Sequence, residues 1–232
     1  MSRERWLRRA QEVSDAFGLV LVLVLATYVL ASLLDNSGWP AVVELSMGAV
    51  TAVVALYSAG TRIPLVRLGR LLAALAVLLA AIAALSGTRG WLSAASLIEV
   101  GLLLAATIAV LHRVVTSGDV DTRTILGALS VYLILGLLFT FVFATVERLQ
   151  GGPFFGEVAD PQNSDFIFFS FTTLTTTGYG DLVPAGQPGR MLAGLEMMIG
   201  QIFLVTLVAR LVSLWRPRRA AQRPSADSSS AS

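Results

Sequence analysis

The sequence predicts an all-α integral membrane protein with six transmembrane helices plus one re-entrant helix and loop. Three observations carry that prediction. The chain is 55% hydrophobic with only 14% charged residues and a mean hydropathy of +0.75, well short of the ~25% charge usual in soluble domains. Six apolar stretches, each near the ~20 residues needed to cross a hydrocarbon core about 30 Å thick, are separated by breaks rich in Arg, Gly and Pro. A seventh apolar stretch has about half that length, so it can enter the membrane only if the chain returns to the same side.

The spans are expected at residues 16–34, 41–59, 65–85, 91–111, 124–146 and 190–215. The first is too long for the apolar region of a signal peptide and lacks a clear small-residue cleavage site, so it is read as retained. Before it, residues 1–15 form a basic segment in which Trp6 and Leu7 are expected at the lipid interface. All seventeen basic residues are Arg. Fourteen fall on one side of the membrane: those of the N-terminal segment, Arg62, Arg67 and Arg70, then Arg113 and Arg123, and Arg210 with the four beyond it. Arg89, Arg148 and Arg190 are left on the other, so the positive-inside rule puts both termini in the cytoplasm.

The short stretch lies between the fifth and sixth spans. Asn163 and Ser164 are good N-caps, Asp165 complements the helix dipole, and residues 166–175 follow as an apolar, Thr-rich helix. After it comes Thr176-Thr177-Gly178-Tyr179-Gly180-Asp181. Replacing the water shell of a cation requires a ladder of inward-facing carbonyls. Gly178 and Gly180, having no Cβ, reach the positive-φ conformations that such a ladder needs.

This motif resembles the potassium-channel signature, and the resemblance covers about two-fifths of the chain. It implies a selectivity filter in which the carbonyls of Thr176, Thr177, Gly178 and Tyr179, with the Thr176 hydroxyl, hold permeant K+. No other metal and no cofactor is expected. One chain carries one such loop, so the resemblance implies a homotetramer completed by three further copies. It also makes residues 163–175 a pore helix and turns Gln201, Leu204, Val205 and Val208, one helical stripe, toward a cavity beneath the filter. Phe168 and Phe169 stand where some relatives carry Trp and are expected to form an aromatic cuff around Tyr179. Thr177 stands where Val is usual and adds a hydroxyl. Thr172 stands where some relatives have a carboxylate that pairs with the counterpart of Asp181, so Asp181 needs another partner.

Several residues remain open from sequence alone. Gly200 in the last span is either a hinge or a close packing contact. Glu196 and Glu99 lie well inside spans, where a carboxylate is costly unless paired, neutral or facing water. Glu196 is expected either to support the filter through the Thr172 or Thr173 hydroxyl or to act as a structural brace, and Glu99 either to stay neutral or to bond Ser93, Ser96 or Thr107. Glu147, Glu157, Asp160 and Arg148 read as charges of a solvated outer loop.

The domain organisation follows: residues 16–115 form a four-helix, sensor-like region, 116–123 a linker and 124–215 the pore module. Residues 216–232 are expected to be a disordered, cytoplasmic tail, too short and polar for a regulatory domain. Its Arg216, Arg218 and Arg219 are expected to meet anionic lipid headgroups. Between residues 91 and 111 the fourth span has no basic residue, so steep voltage gating is not expected. The absence of Cys and the single His exclude disulfides and a His cluster within one chain. Nothing suggests an enzyme or a nucleic-acid partner. The rival readings are a potassium transporter component and a non-conducting modulatory membrane subunit.

Overall fold

The computed structural model describes residues 3–34, 38–116 and 122–214. Most of the linker and all of the 216–232 tail lie outside the described residues, as do the side chains of the N-terminal basic segment. The described elements are helical throughout: α1 (Arg3–Leu33), α2 (Trp39–Ser58), α3 (Ile63–Ser86), α4 (Arg89–Thr116), α5 (Thr122–Leu149), α6 (Asn163–Leu174) and α7 (Gln187–Leu214). Five of them, α2 to α5 and α7, are long and apolar enough to cross a membrane, whereas the apolar part of α1 is the shorter stretch Phe17–Leu33.

Local chemistry sets the breaks. Pro sits in the first turn of both α2 and α3, where its missing N–H costs no helical hydrogen bond. At the far end of α3, Gly87 takes φ 67° and closes the helix by donating its N–H to the Ala83 carbonyl, a conformation that suits glycine because it has no Cβ.

Helix α2 packs on α1, α3 and α4, while α3, among the described elements, touches only α2 and α4. Helix α5 is the junction: it packs on α4 and α1 on one side and on α6 and α7 on the other. The main core runs from Val20 and Val24 of α1 through Leu103 of α4 to Ile134 and Leu137 of α5, reaching Ile167 and Leu174 of α6. A second core is aromatic. Phe139, Phe143, Phe154, Phe155, Phe166 and Phe169 pack together with ring centroids 4.9 to 6.1 Å apart, many of them edge to face, and such a contact is worth about 0.5–1.5 kcal/mol beyond burial.

That cluster fixes the loop before α6 against the segment after it. Phe155 and Pro184 form an antiparallel bridge, Gly156 N–H donates to Val183 O at 3.1 Å, and Ala185 N–H donates to Phe154 O at 2.8 Å. Arg190 Nε closes the turn on Pro184 O at 3.0 Å. The two ends of the α6 hairpin are therefore held together before α7 begins.

Candidate functional site

Helix α6 has 12 residues and so is about 18 Å long, just over half the hydrocarbon thickness. Its N-cap is Gln162, one residue before the Asn163 and Ser164 expected from sequence. Asp165 accepts the Gln162 N–H at 2.8 Å and completes a capping box with it, so a carboxylate three residues on selected the cap. The helix ends at Leu174 with Thr175 as C-cap.

Beyond it the backbone is pinned to the last turn. Thr172 O accepts the N–H groups of Thr177 at 2.8 Å and Gly178 at 3.2 Å, and Thr173 O accepts that of Thr176 at 3.0 Å. Thr176, Gly178 and Gly180 have φ of 58°, 53° and 84°, with no positive φ at Thr177 or Tyr179 between them. Every second residue is thus left-handed, the alternation that aims successive carbonyls to one side. A left-handed φ costs an L residue about 1–2 kcal/mol. Thr176 alone among the described non-glycine residues adopts one, and strain of this kind gathers at functional sites.

Residues 175–181 are all exposed in the single chain. Tyr179 stacks on Phe168 with centroids 5.7 Å apart and planes at 12°. Phe169 instead belongs to the aromatic core, touching Phe143, Phe154 and Phe155, because consecutive helical residues face different directions. The Thr177 hydroxyl lies 2.9 Å from that of Thr175. Asp181 accepts the N–H of Leu182 at 3.0 Å. Thr172 turns its hydroxyl back to Phe168 O at 2.8 Å.

Glu196 is fully buried, and its partner is Ser170 rather than Thr172 or Thr173. Ser170 Oγ lies 2.6 Å from Glu196 Oε1 and 2.7 Å from Gly136 O, so one hydroxyl bridges α5, α6 and α7. Its single hydrogen can serve only one of the two acceptors at a time. Tyr132 of α5 donates to Leu174 O at 3.2 Å, and a Cβ added to Gly200 would lie 2.6 Å from that same carbonyl oxygen. Gly200 is therefore a close packing contact, and α7 runs unbroken through it. Gln201, Leu204, Val205 and Val208 lie on the uncovered side of α7.

A second buried polar group joins α2, α4, α5 and α6. Arg148 lies in the last turn of α5 rather than in a loop, and its Nη1 donates to Ser96 Oγ at 2.6 Å. Glu44, buried in α2, lies close enough to act on it electrostatically and lies beside Asn163 of α6, whose Nδ2 has no hydrogen-bond partner among the described residues. Glu99 does not bond Ser93, Ser96 or Thr107. Ser96 and Thr107 spend their hydroxyl hydrogens on Leu92 O and Leu103 O, and both Glu99 oxygens are buried without a hydrogen-bond partner among the described residues. Sequence reasoning passed over Glu44, although a carboxylate within the second span was the signal that marked Glu99 and Glu196.

Comparison with known proteins bears on the C-terminal part. Residues 128–216 match the ion channel family. The chain is 38% identical over 80 residues to a cyclic nucleotide-gated potassium channel of Rhizobium etli, covering 34% of this chain and 21% of that one. It is 35% identical over 83 residues to the potassium voltage-gated channel protein shk-1 of Caenorhabditis elegans, covering 33% and 15%. Two-pore potassium channel 1 of Arabidopsis thaliana is 31% identical over 90 residues, covering 39% and 23%. The aligned part spans less than a quarter of the length of each of these relatives. No solved structure matches. With five apolar helices of spanning length, the family match makes this a multi-pass membrane protein similar to potassium channels.

Proposed function

We propose that four copies of this chain surround one potassium-selective pore that carries passive K+ flux across the cell membrane. The observation that carries this reading is the alternating backbone of residues 176–180, hung from the end of a short capped helix. In the tetramer the carbonyls of Thr176, Thr177, Gly178 and Tyr179 from each copy face a common axis. Rings of carbonyl oxygens then replace the water shell of K+ at each step, with the Thr176 hydroxyl at the inner end. The negative end of the α6 dipole lies where the filter begins and favours a cation there.

In this reading α1 supplies the first of six transmembrane helices, α6 is re-entrant, and both termini face the cytoplasm. Residues 124–215 form the pore module and 16–115 the sensor-like region. Gln201, Leu204, Val205 and Val208 line the water-filled cavity below the filter, and Phe168 with Tyr179 holds its diameter. Gly180 and Asp181 form the outer mouth, where Asp181 concentrates cations over a Debye length of roughly 8–10 Å.

The test is ion flux from purified protein in liposomes. Potassium should pass and sodium should not. Gly178→Ala puts a Cβ on a residue at φ 53°, costing about 1–2 kcal/mol in each copy and about four times that around one pore, while within the single chain the added Cβ meets no neighbouring atom. The variant should lose potassium-selective flux. Parent-like flux in that variant, or none in the parent, would overturn the reading.

A further inference from the structure

The outer faces of α2 and α3 enclose a groove of about 690 Å³ that the proposed pore does not use. Small side chains make it: Val50, Val53 and Val54 of α2 face Ala74 and Val77 of α3, and their short reach leaves the two helices unfilled between them. Among the described residues α3 packs only on α2 and α4, so no other described helix covers this side. Apart from Ser46, whose hydroxyl donates to Val42 O, the groove is apolar and carries one charge. Arg70 lines the end nearest the α2–α3 turn.

Arg70 sits about 10 Å along α3 from its first residue. A guanidinium at that depth must either snorkel to the headgroups or find an anion, because an unpaired charge in hydrocarbon is expensive. No carboxylate among the described residues is placed on it. Arg67 lies one turn nearer the turn and close to the same face, so the positive field strengthens toward the headgroup layer. An apolar channel ending in an arginine matches an amphiphile with an acyl chain and a phosphate.

We propose that this groove holds one anionic glycerophospholipid, its acyl chain between α2 and α3 and its phosphate on the Arg70 guanidinium. The site depends on the membrane setting and not on conduction, so its test is independent of flux. Free phosphate would use only Arg70, and a zwitterionic lipid offsets its own phosphate with a cationic headgroup. The groove and the arginine together select the anionic lipid.

Native mass spectrometry of the full chain in detergent, titrated with phosphatidylglycerol and phosphatidylcholine of matched acyl chains, tests the proposal. The parent should retain phosphatidylglycerol with about fivefold preference. Arg70→Gln should bring that ratio close to one, Arg70→Lys should keep most of it, and Arg62→Gln, which does not line the groove, should leave it unchanged. Ala74→Phe should lower retention of both lipids by filling the groove. Full preference in Arg70→Gln, equal loss in Arg62→Gln, unchanged retention in Ala74→Phe, or displacement of phosphatidylglycerol by inorganic phosphate would each overturn it.

Discussion

At the scale of single residues, the Ser170 hydroxyl gives the sharpest expectation. It lies within hydrogen-bonding distance of both Glu196 Oε1 and Gly136 O with one hydrogen to donate. An amide at position 196 donates to Ser170 Oγ and frees the serine hydrogen for the Gly136 carbonyl. Glu196→Gln should therefore match or exceed the parent in thermal stability, whereas Glu196→Ala leaves a cavity between α5, α6 and α7 and should cost about 1–3 kcal/mol. Thermal unfolding in detergent reads stability, and single-channel open time reads any effect on the filter. Parent-like behaviour of both variants would reduce Glu196 to a tolerated buried group. That Glu196 needed a partner was legible from its depth in an apolar span. Which partner it has was not, because Ser170 and Thr173 are both hydroxyls on α6 and only the rotation of α7 against α6 chooses between them.

At the scale of elements, α4 decides how voltage can act. Steep voltage dependence requires charges to cross the field, each worth roughly 2.3 kcal/mol per 100 mV. Between residues 91 and 111, α4 has no basic residue. Its far end is tied to α7, where Arg210 Nη1 donates to Val114 O at 3.0 Å. Open probability should therefore vary little with potential in planar bilayers under symmetrical potassium. A conductance curve as steep as several gating charges per pore would refute this, and Arg62, Arg67 and Arg70 would then be the residues to neutralise. The positions of the long helices were readable from hydropathy, and most boundaries differ by a few residues. Helix α1 starts at Arg3, well before the expected residue 16, because helix continues through the polar segment that hydropathy does not mark. Arg148 was misassigned to a loop because α5 continues past its apolar run to Leu149.

At the scale of the whole molecule, the single chain leaves residues 175–181 and much of α7 uncovered. Tyr179 is 71% exposed, and Ile202 and Val205 are 67% and 57% exposed. Part of that surface would line water in the proposed pore and part would meet neighbouring copies. The mass of the purified protein in detergent, measured by native mass spectrometry, should be four chains. A stable monomer or dimer that still conducts potassium would contradict the fourfold arrangement. Inside each copy, Glu44 and Ser96 gather around Arg148, with Asn163 beside Glu44, and so link α2, α4, α5 and α6. That junction was not legible, since its members lie in four separate helices.

Hydropathy and the Gly-Tyr-Gly motif alone gave the membrane class and pointed to the residues of the proposed filter. Both rest on local physics: hydropathy over a ~20-residue window and the positive φ that glycine tolerates. Only the tertiary structure decided that Gly200 meets the Leu174 carbonyl, that Ser170 rather than a threonine faces Glu196, and that Phe169 belongs to an aromatic core while Phe168 meets Tyr179. Each of the first two joins residues 26 positions apart in the chain. The third follows from how α6 is rotated against α5 and the loop bearing Phe154 and Phe155. Spacing within one helix gives the faces, but which face meets which neighbour is set by packing several helices at once.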